Sequence, residues 1–236
     1  MKYLILTYIA FLFANPGVSN KSYSSSAFDL ETKKLIYYEK HNELIIGSKK
    51  IWQTNYVSPD EEVLSQRLIV INADSLRPDF ELKDYRTGYI EGAEKINDNK
   101  IRIYTRESFS DELEEDTLSV NNNFIVDAGL TFFFRKNWKK LLNEEMIKFN
   151  FIAPSKLDYY GFRVYKNKEY KIDSDEVIDL ILEPSSFIIR QFVDPIYISY
   201  YRETKKIVRY KGISNVNDPE GSSYRVLINY LTESIN

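Results

Sequence analysis

The chain has 236 residues, of which 43% are hydrophobic and 28% charged, and its net charge at pH 7 is −3. A chain of this length can bury a substantial core as one large domain or two small ones, and it lacks the basic excess typical of nucleic-acid-binding proteins. It contains no cysteine, which excludes disulfides, thiol nucleophiles, cysteine-based zinc sites and iron–sulfur clusters. Its single histidine, His41, excludes a multi-histidine metal centre, and we expect this residue to be solvated near a strand end. Neither a metal nor a cofactor is therefore expected.

The N-terminus has the order of features found in a secretory signal peptide. "MKYLILTYIAFLFANPGVSN" begins with one lysine, continues with an apolar run from Tyr3 to Ala14 and reaches a break at Asn-Pro-Gly. The run is shorter than the ~20 apolar residues of a membrane-spanning helix. We expect export to the periplasm or secretion, with cleavage after Ser19 or Ala27; a buried first strand or helix is the alternative. Residues 1–27 would then be a signal peptide with a short polar segment, and residues 28–236 a single β-rich domain.

Alternation of apolar and polar residues with a period of two dominates the rest of the chain. In "KIRIYTR", for example, Ile101, Ile103 and Thr105 fall on one face. This period is typical of strands with one buried face, and short polar linkers such as "NKEYK" (167–171) suit antiparallel neighbours. We predict a mainly β fold, a curled antiparallel sheet or open β-barrel of about ten or more strands. The predicted strands include residues 51–57, 63–71, 100–106, 147–153, 159–166, 177–182, 196–201, 206–212 and 224–230.

The stretch "DAGLTFFFRKNWKKLL" (127–142) has a helical period instead. At about 100° per residue, most of its large apolar side chains fall within one half of a helical wheel and its four cations in the other. The asparagines before it offer N-cap oxygens, and Asp127 favours the first turn. We predict one amphipathic helix that covers a face or the mouth of the sheet and buries Phe134 and Leu141.

Two residues of this stretch depart from the pattern. Asn137 lies inside the apolar arc, where its amide needs hydrogen-bond partners or costs ~1–3 kcal/mol. Phe132 lies among the cations, and a basic helix with an exposed aromatic is suited to an anionic membrane surface. An ordinary solvated face is the alternative that we favour.

Carboxylates are the only plentiful acid–base groups. The acidic run "DELEED" (111–116) lacks the spacing and the glycine of a calcium loop and indicates a hairpin end. Asp158, Glu183 and Asp194 lie beside apolar strand residues, so two of them could converge as in glycoside hydrolysis; ion pairs with neighbouring arginines are the favoured alternative. A second short helix or irregular turn is predicted over residues 185–193.

The chain carries, in this order from Phe28 onwards, the segments "FDLETKKLIYYEKH", "FELKDYRTGYIEGAE", "DAGLTFFFRKNW", "FNFIAPSKLDYYGFR", "LILEPSSFIIRQFVDPI" and "VRYKGISN". Together they resemble a family of uncharacterised exported proteobacterial proteins, of the domain-of-unknown-function type. The resemblance implies no known activity and no catalytic residues. More distantly, a curled antiparallel sheet with a helix at its mouth is similar to the open β-barrels of periplasmic lipoprotein carriers, which implies an apolar cavity for acyl chains.

We interpret the chain as an exported, non-catalytic binding or carrier protein for an apolar or amphipathic ligand. The alternatives are a carboxylate-based hydrolase of envelope glycan and an envelope protein–protein interaction module. A lipid or other apolar molecule is the expected partner, with peripheral envelope contact, whereas nucleic acid and a membrane span are not expected. A cavity is predicted beneath residues 130–142, and its candidate lining residues are Trp52, Tyr56, Phe133, Asn137, Trp138, Phe149 and Phe151.

Overall fold

A computed structural model describes residues 20–46 and 49–230. Within these residues, fifteen strands form one sheet and two short helices follow β9. The strands are β1 (Asn20–Asp29), β2 (Leu35–Ile46), β3 (Lys49–Val57), β4 (Val63–Ile71), β5 (Asp79–Asp84), β6 (Ile90–Asn97), β7 (Lys100–Arg106), β8 (Glu114–Ser119), β9 (Phe124–Val126), β10 (Ile147–Ala153), β11 (Asp158–Ile172), β12 (Asp175–Pro184), β13 (Ile196–Tyr201), β14 (Ile207–Asn217) and β15 (Ser223–Asn229), and the helices are α1 (Leu130–Lys136) and α2 (Trp138–Leu142).

The order of strands in the sheet leaves it open at one place. Consecutive strands pair antiparallel from β1 to β8 and from β10 to β15, and β1 also pairs antiparallel with β15. The sheet therefore runs from β8 back to β1, then from β15 back to β9, and its two edges are β8 and β9. These edge strands follow one another in the chain but do not pair. This arrangement confirms the predicted mainly β fold with more than ten strands in an unclosed, barrel-like sheet.

The period-two pattern places the core side chains as predicted in β7. Ile101, Ile103 and Thr105 are all buried, because successive side chains of a strand point to opposite faces of the sheet. The prediction of a linker at residues 167–171 is wrong, since "NKEYK" lies within β11. A register shift between Lys166 and Lys168 accommodates these polar residues without ending the strand.

Strand β1 begins before the predicted domain boundary. It starts at Asn20 and pairs with both β2 and β15, and Ala27 within it is completely buried. Residues 20–27, which we expected to be a polar segment outside the domain, therefore belong to the sheet. The predicted signal peptide itself, residues 1–19, lies outside the described residues.

The predicted single helix is two short helices. The helical segment breaks at Asn137, whose φ of −98° and ψ of 12° depart from helical values. No side chain caps α1; it follows a 3-10 turn at Asp127–Gly129 instead. The apolar face is confirmed, since Phe134 and Leu141 are completely buried.

The two helices cross from β9 to β10, which lie parallel and adjacent, and they pack inside the curved sheet. Gly129 allows the entry to α1 to approach the β4–β5 loop, because an added Cβ would lie 2.0 Å from the Leu76 carbonyl oxygen. At the C-terminal end of α1, Arg135 donates hydrogen bonds to the carbonyl of Lys205 in the β13–β14 turn. The largest apolar cluster lies between the helices and strands β10 to β13.

The polar segments at the sheet ends agree in part with their predictions. "DELEED" covers the end of the β7–β8 connection and the start of β8. Residues 185–193 form an irregular connection that contains only a 3-10 turn, Ile189–Gln191.

Candidate functional site

A cavity of about 250 Å³ lies between α1 and strands from both halves of the sheet. One wall is polar and comes mainly from β1 to β4 and from the turn before α1. The opposite wall is apolar and comes from α1 and strands β10 to β15. The apolar residues that line it include Phe134, Phe151, Phe162, Leu182, Ile196, Ile198, Ile207 and Ile228.

An ion pair between Arg67 and Asp127 lies in the polar wall. Arg67 points inward from the middle of β4, and its guanidinium Nη2 lies 2.5 Å from the Asp127 Oδ2 in the turn before α1. Burial alone would lower the pKa of Arg67, but the carboxylate of Asp127 and the hydroxyl of Tyr56 raise it above its ordinary value. The cation is therefore permanent, and the pair ties the start of α1 to the sheet.

A second polar group joins β1, β2 and β3. The Ser25 hydroxyl donates to Glu39 Oε2 at 2.7 Å, and the same carboxylate oxygen lies 3.1 Å from His41 Nε2. The other imidazole nitrogen, Nδ1, lies 3.0 Å from the Thr54 hydroxyl, and the ring of Tyr23 stacks on the imidazole with centroids 4.4 Å apart. Our prediction that His41 is a solvated strand-end residue is wrong: it lies well inside β2, and its side chain is 13% exposed.

The geometry of this group differs from that of a serine–histidine–carboxylate triad. In a triad the carboxylate bonds to one imidazole nitrogen and the serine to the other. Here Ser25 and Glu39 both approach His41 Nε2, the serine at 3.3 Å. Burial alone would raise the pKa of Glu39, but hydrogen bonds with His41, Ser25 and Tyr230 lower it below its ordinary value. The carboxylate therefore stays ionised inside the cavity wall.

Six tyrosines complete the lining and supply hydroxyl groups. Burial raises the pKa of Tyr23, Tyr56 and Tyr200 to about 12, so these side chains are neutral at physiological pH. The hydroxyl of Tyr37 bonds to that of Ser214 at 2.7 Å. The complete set is Tyr23, Tyr37, Tyr56, Tyr200, Tyr210 and Tyr230.

Glu91 of β6 lies close to the Arg67–Asp127 pair. Burial and the nearby negative charge of Asp127 raise the pKa of Glu91 to about 7, although Tyr89 and Arg67 act in the opposite direction. This carboxyl, which lies next to the polar wall, is therefore partly protonated and partly ionised near pH 7.

The structure brings three of the seven predicted site residues to the cavity. Trp52, Tyr56 and Phe151 line it. The indole ring of Trp52 stacks on Phe132 with centroids 5.2 Å apart, so the phenylalanine expected among the cations packs against the sheet. The indole N–H of Trp52 is buried and has no hydrogen-bond partner among the described residues.

The other four predicted site residues lie outside the cavity lining. Phe133 and Phe149 contact each other in the core with ring centroids 4.7 Å apart, and Trp138 packs against Tyr200. The amide of Asn137 finds its hydrogen-bond partner within the helical segment. It donates to the Phe133 carbonyl, one turn earlier in the same helical segment, at 2.9 Å.

Sequence reasoning missed the charged residues of the polar wall, Glu39, His41, Arg67 and Asp127. The alternation of side chains along the strands did contain a signal. In β4, Arg67 points to the same face as the buried Ser65 and Ile69. In β2, Glu39 and His41 point to the same face as the buried Tyr37. A charged residue at an inward position is informative because it needs a partner inside the protein.

Asp158 and Glu183, two of the carboxylates proposed for glycan hydrolysis, lie far apart on the sheet. Glu183 forms an ion pair with Arg163, its direct neighbour across β11 and β12, as the ion-pair alternative predicted. Asp158 lies five positions before Arg163, which corresponds to about 16 Å of strand and exceeds the ~5–9.5 Å separation of catalytic pairs. Asp194 pairs with Arg225 at 2.7 Å.

Comparison with known proteins adds a likeness at the level of the fold. None of the family models or curated proteins compared matches the sequence. Among solved structures, the chain is similar to the crystal structure of a beta-barrel-like protein of domain of unknown function DUF1849 from Brucella abortus, with 12% sequence identity and a TM-score of 0.49 over 91% of this chain and 98% of that one. No helix within the described residues is long and apolar enough to cross a membrane.

Proposed function

We propose that this chain is an exported, non-catalytic binding protein that holds a small amphipathic molecule in the cavity beneath α1. The observation that carries the proposal is the division of the cavity into an apolar wall and a polar wall. Small-ligand sites usually combine an apolar lining with a few placed polar groups. At about 250 Å³, the cavity is smaller than the usual ~300–1,000 Å³, so it suits a short apolar chain better than a complete phospholipid.

The charges of the polar wall favour a neutral head group on that ligand. The lining carries three carboxylates, Glu39, Glu43 and Asp127. Asp127 already pairs with Arg67, and Glu43 pairs with Lys50, which lies outside the lining. A carboxylate head group would therefore enter a site without a free cation. The buried indole N–H of Trp52 has no partner within residues 20–46 and 49–230, and a hydroxyl or carbonyl oxygen of the ligand would satisfy it.

A matched series of hexyl compounds tests this proposal. Burying six carbons at ~0.8 kcal/mol each corresponds to a Kd of at best roughly 0.3 mM for hexanol. At ten times that concentration, mass action stabilises the folded state by about 1.4 kcal/mol, which raises Tm by about 3–6 °C for a domain of this size. Hexanoate and hexylamine, with the same chain and charged heads, should raise Tm less.

The control is a variant with a filled cavity. Ile207 is a half-buried lining residue at the start of β14, and Ile207→Trp should occupy the cavity and abolish the effect of hexanol. Val63→Trp places the same ring at an exposed position outside the lining and should leave the effect intact. Equal Tm changes in the wild type and Ile207→Trp, or no effect of any hexyl compound, would reject the proposal.

Export is the second part of the proposal and rests on the sequence of residues 1–19. Of the two candidate cleavage positions, Ser19 leaves β1 complete, whereas cleavage after Ala27 would remove most of a strand that pairs on both sides. The intact mass of the natively expressed protein should therefore correspond to a chain that begins at Asn20. Recovery of the whole chain from the cytosol would refute export.

A further inference from the structure

The connection between β12 and β13 exposes several large apolar side chains. We call these residues, Phe187, Ile188, Ile189 and Phe192, the apolar tip. Their exposed fractions are 69%, 72%, 37% and 85%. Side chains of this kind are normally buried, and here four of them within six residues are solvent-exposed in the described part of the chain.

The apolar tip is held in this exposed position by polar contacts at its base. Arg190 donates hydrogen bonds to the carbonyls of Pro184 and Ser185 at 3.0 and 2.8 Å, and its guanidinium lies 5.7 Å from the ring of Phe187. The backbone N–H of Ser185 donates to Gly161 in the neighbouring strand β11 at 2.8 Å. The tip is therefore anchored to the sheet and projects its side chains from a defined base.

Two tyrosines stand beside this base. Tyr159 and Tyr160 of β11, next to Gly161, are 42% and 37% exposed, and the ring of Tyr159 also contacts Phe124 of β9 with centroids 4.8 Å apart. Tyrosine rings with one apolar side and one polar end are enriched where protein meets the boundary between lipid and water. An apolar tip flanked by tyrosines has the arrangement of a segment that enters the outer part of a bilayer.

We propose that the apolar tip inserts into a lipid surface. At ~150–250 Å² for a full side chain of this class, the four exposed fractions amount to about 400–650 Å², which is less than the roughly 800 Å² per partner of a stable protein interface. Side chains exposed to this degree project from the protein surface. A bilayer can accommodate them to a depth of ~5–10 Å without a preformed groove.

The charges near the tip define the kind of lipid surface. Arg190 is the only cation and Asp194 the only anion of residues 185–195, so the connection has no net charge. Insertion should therefore occur into neutral phosphatidylcholine and change little with salt. Binding through the cations of α1 and α2 would instead require anionic lipid.

Quenching of a single introduced tryptophan tests the insertion. Phe192→Trp places an indole at the tip, while the native Trp52 and Trp138 lie at the cavity and in the core. With phosphatidylcholine vesicles that carry brominated acyl chains, the added emission of Phe192→Trp should shift to shorter wavelength and fall at least about twofold. Ile96→Trp, at a solvent-exposed apolar position (54%) at the other end of the sheet, should show neither change.

A loss-of-function variant provides the second readout. Phe187→Ser with Phe192→Ser should lower the fraction that sediments with the vesicles at least about tenfold, since each buried phenylalanine contributes a factor of this size, and should leave Tm unchanged. If the Phe192→Trp protein sediments with the vesicles but its added tryptophan emission is not quenched, another segment binds lipid and the proposal is overturned. Absence of vesicle binding would overturn it as well, as would a concentration-dependent dimer that the double variant abolishes.

Discussion

Replacing Glu91 with glutamine is expected to stabilise the protein at alkaline pH and to leave its stability nearly unchanged at acidic pH. The folded-state pKa of Glu91 is about 7, against an ordinary value of 4.5. Because the folded state keeps this proton to higher pH than the unfolded chain, unfolding releases a proton between these two values. The free energy of unfolding therefore decreases as pH rises from about 4.5 to about 7. Above that range, Glu91 causes no further change in stability.

The size of the effect follows from the difference between the two pKa values. At 1.36 kcal/mol per unit, a difference of about 2.5 between 7 and 4.5 gives at most about 3 kcal/mol. Glutamine retains the shape of the protonated carboxyl but cannot ionise, so Glu91→Gln should be more stable than the wild type by up to this amount at pH 8 and by little at pH 4.

The assay is urea unfolding of both proteins at a series of pH values, with Glu112→Gln as the control. Glu112 is solvent-exposed in the β7–β8 connection, and its replacement should leave the pH dependence of the wild type intact. If Glu91→Gln and the wild type lose stability in parallel between pH 5 and pH 8, the carboxyl does not ionise in a buried, negatively charged environment, and the reasoning fails.

Two further predictions concern the packing of the helices. Leu141→Ala should lower the free energy of unfolding by ~2–5 kcal/mol, because it leaves a cavity at a completely buried position. The control, Lys139→Ala at an exposed position, should cost under ~0.5 kcal/mol. Equal losses of the two variants in denaturant unfolding would contradict the buried face of α2. Gly129→Ala should cost roughly 1–3 kcal/mol, because the new Cβ meets the Leu76 carbonyl, and Gly161→Ala, whose closest contact is 3.7 Å, should cost less than about 1 kcal/mol. Thermal unfolding that ranks these two glycine variants in the opposite order would argue against the close approach of α1 to the β4–β5 loop.

The regular strands were predictable from sequence because their pattern is local. "VLSQRLIVI", "KIRIYTR" and "IYISYY" coincide with β4, β7 and β13, since one buried face imposes a period of two on each segment alone. Strand β9 was not predictable in this way. It has three residues, all buried, and its parallel pairing with β10 depends on a helical crossover rather than on a turn.

The candidate site could be predicted only in its aromatic residues. Trp52 and Tyr56 were identified because they share the inward face of β3, whereas Arg67 was not, because its partner Asp127 lies sixty residues away. A charged residue in a strand usually faces solvent, and only the strand face that Arg67 shares with Ser65 and Ile69 indicated an inward position. At the break, the side-chain amide and the backbone N–H of Asn137 both donate to the Phe133 carbonyl, so two donors compete for one acceptor.

The central claim, that the cavity beneath α1 holds a small molecule, is tested most directly by native mass spectrometry of the protein purified from its own host. The wild type should carry a small non-protein mass, and Ile207→Trp, purified in the same way, should lack it because the indole fills the cavity. Val63→Trp should carry the same mass as the wild type. Identical masses bound to the wild type and Ile207→Trp, or a wild type with nothing bound, would contradict the account.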